Sequence, residues 1–273
     1  DYSGGYVFPA AISASTTIAV RKRSDRTVRI KATDLPDVVT IDMDKIGDYK
    51  DLHYGNYQAG IIDEMMKDGY TLTGADMLYE DGVPHGGGLS SSAAIEVATA
   101  CVFSSFSAEA GGKEATKTEM ALIGQRAEHN YAGVNCGIMD QFASANGKAN
   151  MAIFLQCDTL KYELVPVELG DCKLVLSNTN KKHKLGASKY NERRSQCEQG
   201  FADLKKVMPG KNCLGEITPE EFEAHKDAIS DETVKRRVTH VIYEDDRVLK
   251  SVKALKEGDI KAFGQFMNQS HAS

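Results

Sequence analysis

The stretch from Pro84 to Ala94, "PHGGGLSSSAA", limits this chain's fold more than any other part of it. Three consecutive glycines do not belong inside a strand, where they cost backbone entropy and pack nothing. Nor is the stretch a loose linker, because Leu89 interrupts it and a patterned segment follows directly. "ADMLYED" before it reads as a short strand. After it, Ala93, Ala94, Val97, Ala98, Cys101, Val102 and Phe106 fall at the three-and-four spacing of a buried helical face. A strand, a glycine-rich turn and a helix is the layout that binds phosphate. Glycines let the backbone approach an anion, and the helix's free N–H groups and dipole point at it. The serines add hydroxyl donors or a magnesium ligand. The loop is not of the Walker type, since no lysine follows the last glycine. It is not the dinucleotide fingerprint either, which would need glycine at Ser91. The plainer alternative is a helix start capped by Ser90 after a glycine turn.

Ahead of the loop, "TTIAVRKR" and "TVRIKA" alternate and are rich in β-branched residues, and "KRSDRT" between them predicts a hairpin. "VVTIDMD" repeats the strand pattern. "NYQAGIIDEMMKDG" predicts a helix with Ile61, Ile62, Met65 and Met66 on one stripe and Gly69 as its stop. Beyond the loop helix, "KTEMALIGQRAEHNYAG" predicts a second helix and "GIMDQFASANG" a shorter third. "MAIFLQCDTLKYELVPVEL" returns to strands, followed by "CKLVLSNTN", and from Ala187 onward the chain is largely helical and charged. This change predicts a boundary near Val165 to Gly170 and two domains, 1–167 and 168–273. The expected class is α+β, with a mixed sheet and helices first and a mostly helical part second.

A chain of 273 residues, 41% hydrophobic and 26% charged, can bury roughly 75% of its unfolded surface. Its net charge of -6 speaks against nucleic acid or an anionic membrane as partner. No apolar run approaches the ~20 residues of a membrane span, and no basic-then-apolar leader opens the chain. The six scattered cysteines read as free thiols of a cytosolic protein, and the seven histidines show no zinc spacing. Opening at Asp1 without methionine and ending on "MNQSHAS", the chain reads as a piece of something longer.

The glycine-serine loop closely resembles the second signature of the GHMP small-molecule kinases, P-x-G-x-G-L-S-S-S-A. "DYSGGYVFP" at Asp1 resembles the tail of the galactokinase signature, and "GVNCGIMDQFAS" the galactokinase segment that holds the catalytic aspartate. "SKYNERRSQCE", "RRVTHVIYEDDRV" and "FGQFMNQSH" resemble stretches of the second domain. The resemblance covers nearly the whole chain in the right order, and the chain is identified as a member of the galactokinase family. That implies a two-domain GHMP-kinase fold and ATP-dependent phosphorylation of the anomeric hydroxyl of D-galactose. It also implies Mg2+ with the ATP, a cytoplasmic location and a monomer without nucleic-acid or membrane partners.

Phosphoryl transfer to a sugar needs a phosphate cradle, a magnesium ion and a group that orients or deprotonates the hydroxyl. By resemblance, Pro84, Gly86, Gly87, Gly88, Leu89, Ser90, Ser91, Ser92, Ala93 and Ala94 bind ATP, and Ser92 and Glu128 hold magnesium. A hard carboxylate oxygen suits that ion, although spacing alone is equally served by a solvated carboxylate on a helix face. Asp140 is the implied catalytic residue. In a first helical turn the dipole stabilises its anion, which also fits a simple capping role. Asp1, Gly137, Asp140 and Tyr190 are the implied sugar-binding residues. A short carboxylate such as Asp1 can accept from two neighbouring hydroxyls and reject the wrong epimer. Tyr190 closes the pocket or is a helix-face aromatic. Arg193 and Arg194 read as ion-pair residues, His129 as structural, and His85 as a solvent-facing filler.

The motifs leave open a GHMP kinase for N-acetylgalactosamine or arabinose, a non-catalytic galactose- and ATP-binding sensor, or a folded module. The intact "LSSSAA" favours an enzyme. The family's upstream arginine and Glu-His pair, and its third glycine-rich signature, are expected to lie outside Asp1–Ser273. These 273 residues alone are therefore expected to turn over orders of magnitude more slowly than a full-length parent.

Overall fold

A computed structural model describes residues 1–49, 51–84, 86–178 and 187–273. Its elements begin with β1 (Tyr6–Val7), β2 (Thr16–Lys22), β3 (Thr27–Ala32), β4 (Val38–Asp42), α1 (Asn56–Lys67), β5 (Ala75–Asp81) and α2 (Ser91–Glu109). They continue with α3 (Lys117–Ala127), α4 (Met139–Asn146), β6 (Met151–Gln156), β7 (Lys161–Pro166), α5 (Ala187–Lys205), α6 (Pro219–His225), α7 (Glu232–Lys256) and α8 (Ile260–Ala272). The architecture is α+β, as expected. By compactness, Ile12–Asn146 with Ser177 and Asn178 form one unit, here the loop unit. Asp1–Ala11, Gly147–Leu176 and Ala187–Ser273 form the other, the helical unit. The boundary expected near Val165 to Gly170 lies inside the helical unit.

In the loop unit the strand order is β2-β5-β3-β4, which corrects the expected hairpin: β2 and β3 are not neighbours. β5 lies between them, antiparallel to β2 and parallel to β3. Gly74 enters the mouth of the turn, where it donates its N–H to Asp25 O and accepts from Arg23 N–H. A Cβ there would stand 2.5 Å from Thr27 O, so only glycine fits. Two positions further, Asp76 pairs with Arg29 at 2.6 Å, Arg21 at 2.6 Å and Arg23 at 3.1 Å. These guanidinium groups, Arg29 first, hold its carboxyl well below the usual range. Two alternating strands and a polar turn look the same whether the hairpin is closed or split by a later strand.

One face of this sheet is apolar and carries the helices. Val28 and Ile30 on β3, Ile41 on β4, and Ala75, Met77 and Tyr79 on β5 are buried. They share a core with Ile61, Ile62 and Met65 of α1, Phe103 of α2 and Ile123 of α3. Helix α1 ends at Gly69, whose φ of 81° suits glycine, as expected. Helix α2 departs from expectation. Its buried positions include Glu96, Thr99, Ser104 and Ser107, whereas Cys101 is exposed. Small and apolar residues surround this helix on all sides, so their spacing does not select a face. It is also long and apolar enough to cross a membrane by length and composition, contrary to the sequence reading, and half of it is buried within the protein.

The helical unit has a three-stranded antiparallel sheet, β1-β6-β7. Phe222, Leu204, Val238 and Ile242 centre a separate core among its helices. Thr218 and Glu221 cap α6 reciprocally with Pro219 in its first turn, and Asp231 caps α7. The strand expected from "CKLVLSNTN" is absent among the described residues 172–178. Leu174, Val175 and Leu176 are exposed there, and a β-rich run without a pairing edge has nothing to bond its backbone to.

Helices α1 and α3 are in close contact at Gly60, where an added Cβ would stand 2.8 Å from the Ala127 Cβ. Overpacking of this kind costs about 1–3 kcal/mol, so Gly60→Val is expected to lower stability by about 2 kcal/mol. Urea denaturation checks this: an unchanged midpoint would mean that the two helices separate freely.

Candidate active site

The glycine loop connects β5 to α2 through alternating backbone hands. Gly86, Gly88 and Ser90 have φ of 66°, 75° and 60°. Alternation of this kind turns successive N–H groups inward to form an anion-binding concavity. Glycine adopts these angles freely, but for Ser90 they are strained, and such strain persists where the surroundings enforce it. Ser90 does not cap the helix through its side chain, so the plainer capping reading does not hold. The His85 assignment falls outside the described residues.

Ser92, in the first turn of α2, directs its hydroxyl at Glu128 Oε1, 3.4 Å away. Glu128 starts a π-helical turn, Glu128–Ala132, that continues α3 and ends at Gly133 with φ of 69°. The turn is anchored to α1: Asn130 and Arg126 both donate to Glu64 at 2.9 Å, and Tyr131 donates to Asp63 at 2.8 Å. His129 donates to the Cys136 carbonyl at 2.8 Å, the structural role expected of it. Glu128 itself is 4% exposed, not a solvated surface carboxylate.

Behind Glu128 lies a group that sequence reasoning missed. The single Gln141 amide nitrogen donates to Glu128 Oε2 at 2.8 Å and to Glu96 Oε2 at 2.9 Å. Glu96 and Gln141 are fully buried. Gly124 makes room for them, since a Cβ there would meet Gln141 Cγ at 3.0 Å. Glu96 Oε1 and Gln141 Oε1 have no hydrogen-bond partner. Burial raises the Glu128 carboxyl, and the charge of Asp140 adds to this. Glu96 is pushed well above its ordinary value by burial, then by the charge of Glu128. Tyr57 on α1 is pushed up to about 12 by burial and by these two acids. One signal was available in the sequence: Glu96 is the only charged residue of α2 before its last position.

Asp140 occupies the first turn of α4 and is exposed, next to buried Gly137 and Ile138. Its carboxylate acts electrostatically on both Glu128 and Glu96, so the loop unit gathers Ser92, Glu128 and Asp140 in one region. Asp1 and Tyr190 belong to the helical unit. Asp1 Oδ1 accepts the Tyr2 N–H at 2.7 Å, and the Tyr2 ring meets Tyr190 edge-on at 5.5 Å. Arg194 pairs with Glu198 at 2.9 Å, in keeping with an ion-pair role.

A glycine loop of alternating hand, a helix behind it and paired oxygens at its end define a class of phosphoryl-transfer protein. The family model for the GHMP kinases N terminal domain matches residues 56–148. The chain belongs to the galactokinase family, whose members use ATP. It is 42% identical to the galactokinase of Clostridium tetani (strain Massachusetts / E88) over 273 residues, all of this chain and 69% of that relative. It is 40% identical to the galactokinase of Bacillus subtilis (strain 168), all of this chain and 70% of that relative. The structure of Lactococcus lactis galactokinase complexed with galactose superposes with a TM-score of 0.94 at 38% identity, over all of this chain and 70% of that one. Methanococcus jannaschii mevalonate kinase, 16% identical with a TM-score of 0.52 over 92% of this chain and 73% of that one, shares the fold.

A carboxyl whose folded-state pKa lies above its unfolded value stabilises the fold fully below the unfolded value, and that contribution is lost as pH rises through the folded one. Glu96 is such a group. The variant Glu96→Gln is therefore expected to become more stable than the unsubstituted chain as pH climbs above 4.5, with the difference vanishing below that value. Melting temperatures of both proteins from about pH 4 to about pH 8 test this. A difference independent of pH would show that Glu96 ionises normally.

Proposed function

We propose that this chain transfers the γ-phosphoryl group of ATP to the anomeric hydroxyl of D-galactose, giving galactose 1-phosphate and ADP. The observation that carries the reading is the convergence of the Ser92 hydroxyl on the Glu128 carboxylate behind the strained glycine loop. The galactose-bound relative supports the choice of sugar. ATP phosphates rest against the loop from Pro84 through Gly86, Gly87, Gly88, Leu89, Ser90 and Ser91 to Ser92, Ala93 and Ala94. The backbone N–H groups and the start of α2 offset their charge. Ser92 Oγ and Glu128 are hard oxygen donors, and burial together with neighbouring acidic charge raises both Glu128 and the adjacent Glu96, a crowding of carboxyls that a cation would relieve. These residues would hold Mg2+, which when bound neutralises charge on the β- and γ-phosphates.

Asp140 is the catalytic base. Exposed in the first turn of α4, it accepts the anomeric hydroxyl proton as that oxygen bonds to the γ-phosphorus and ADP departs. In the loop unit Gly137 lets the backbone approach the sugar, and in the helical unit Asp1, which accepts from sugar hydroxyls, and Tyr190 are sugar-binding residues. The enzyme acts as a cytoplasmic monomer without nucleic-acid or membrane partners; for the absence of such partners its net charge of -6 is the support.

ADP release by the intact gene product, measured with galactose, glucose, N-acetylgalactosamine and arabinose at matched concentrations, tests the assignment. Galactose should be strongly preferred, and equal turnover of another sugar would reject it. Asp140→Asn should lower kcat by roughly 10²–10⁴-fold with the galactose KM nearly unchanged. A loss confined to KM would make Asp140 a binding residue only. Gly88→Val, placed where φ is 75°, should weaken nucleotide binding in calorimetry without changing sugar affinity. Unaltered ATP affinity would remove the loop from the nucleotide site.

A further inference from the structure

Asp1 is carried on a turn closed by the Gly4 N–H on Asp1 O. That turn is fixed from behind. Gly215 and Gly5 meet backbone to backbone, since a Cβ on Gly215 would stand 2.4 Å from the Gly5 Cα. The Gly215 N–H donates to Ser3 O, and the Cys157 N–H donates to Gly5 O at 2.9 Å. The next backbone N–H, that of Tyr6, donates at 2.8 Å to Oδ1 of Asp245, 239 positions away on α7. The other Asp245 oxygen, Oδ2, is buried with no hydrogen-bond partner. It lies against Gly5, where an added Cβ would stand 2.1 Å from it. A carboxylate oxygen left without water or donor is costly to keep, and an apolar residue would fill the space without that cost. Burial also pushes the Asp245 carboxyl up to about 6. What this acid supplies that an apolar residue cannot is one acceptor, aimed at the backbone just after the turn.

We propose that Asp245 is a positioning residue for sugar recognition: by holding the Tyr6 N–H and packing against Gly5, it sets where the Asp1 carboxylate stands. The inference rests on the reading of Asp1 as a sugar-binding acid. Asp245 touches no substrate atom and acts through the turn.

The test is a kinetic set on the intact gene product. Asp245→Ala should raise the galactose KM roughly tenfold, the scale of one charge-assisted hydrogen bond. The ATP KM should stay unchanged and kcat should stay within about threefold. Asp245→Asn keeps an Oδ1 acceptor and should restore the galactose KM to within about threefold of the parent. Gly5→Ala, which presses on the same carboxylate from the other side, should raise the galactose KM as well, and serves if Asp245→Ala does not accumulate. Ile229→Val, a truncation in the core of the helical unit, is the control for destabilisation alone and should leave the galactose KM unmoved. The proposal is overturned if Asp245→Ala lowers the melting temperature but, like Ile229→Val, leaves the galactose KM unmoved. It is also overturned if Asp245→Asn binds galactose as poorly as the alanine variant. Asp1→Ala separates the two claims. An unchanged galactose KM there removes the reading of Asp1 itself, whereas a raised one with an inert Asp245 removes only the link between them.

Discussion

One amide nitrogen ties the candidate site of the loop unit together. Gln141 donates to two buried carboxylates at once, Glu128 where α3 widens and Glu96 inside α2, and it stands next to Asp140 on α4. Three helices are thereby joined at one buried polar point. Two acids so close and so dry repel each other, and a shared donor keeps both in place. The Glu128 oxygen not bound by Gln141 is left to face Ser92 at the start of α2. The arrangement gathers acidic groups beside Ser92, and burial makes each of them costly to ionise.

The parts of the fold that were legible in the sequence are those set by local chemistry. The glycine run announced its loop because only glycine takes positive φ without strain at Gly86 and Gly88. The stripe on α1 announced its buried face because polar residues flank Ile61, Ile62 and Met65. Helix α2 offered no such contrast, so Cys101 was placed inside and Glu96 overlooked. The split hairpin was illegible for a different reason: the strand that enters it begins at Ala75, 53 positions after β2 ends at Lys22, and nothing in "KRSDRT" records the visitor.

Site residues divide along the same line. The glycine loop carries its own physical argument. Glu128 read as a surface carboxylate by spacing, and it is buried because the π turn and its anchors to α1 rotate it inward. Asp1 and Tyr190 had no local signal of function and came only from likeness to the family. Their surroundings explain why the motif near Asp1 is rich in glycine, since Gly4, Gly5 and Gly215 share a space too narrow for side chains.

The inserted strand also governs the order in which the loop unit can be completed. Strands β2 and β3 present facing edges across a slot that only β5 fills. A parallel neighbour such as β5 requires a crossover, here the one that carries α1, and must close a long stretch of chain before its hydrogen bonds form. While the chain leaves the ribosome, the edge of β3 that faces β5 therefore lacks its partner until Ala75–Tyr79 has emerged. The glycine loop follows at once. The last strand to lock the sheet is thus the one that leads directly into the glycine loop, so the loop takes its place only once the sheet is whole.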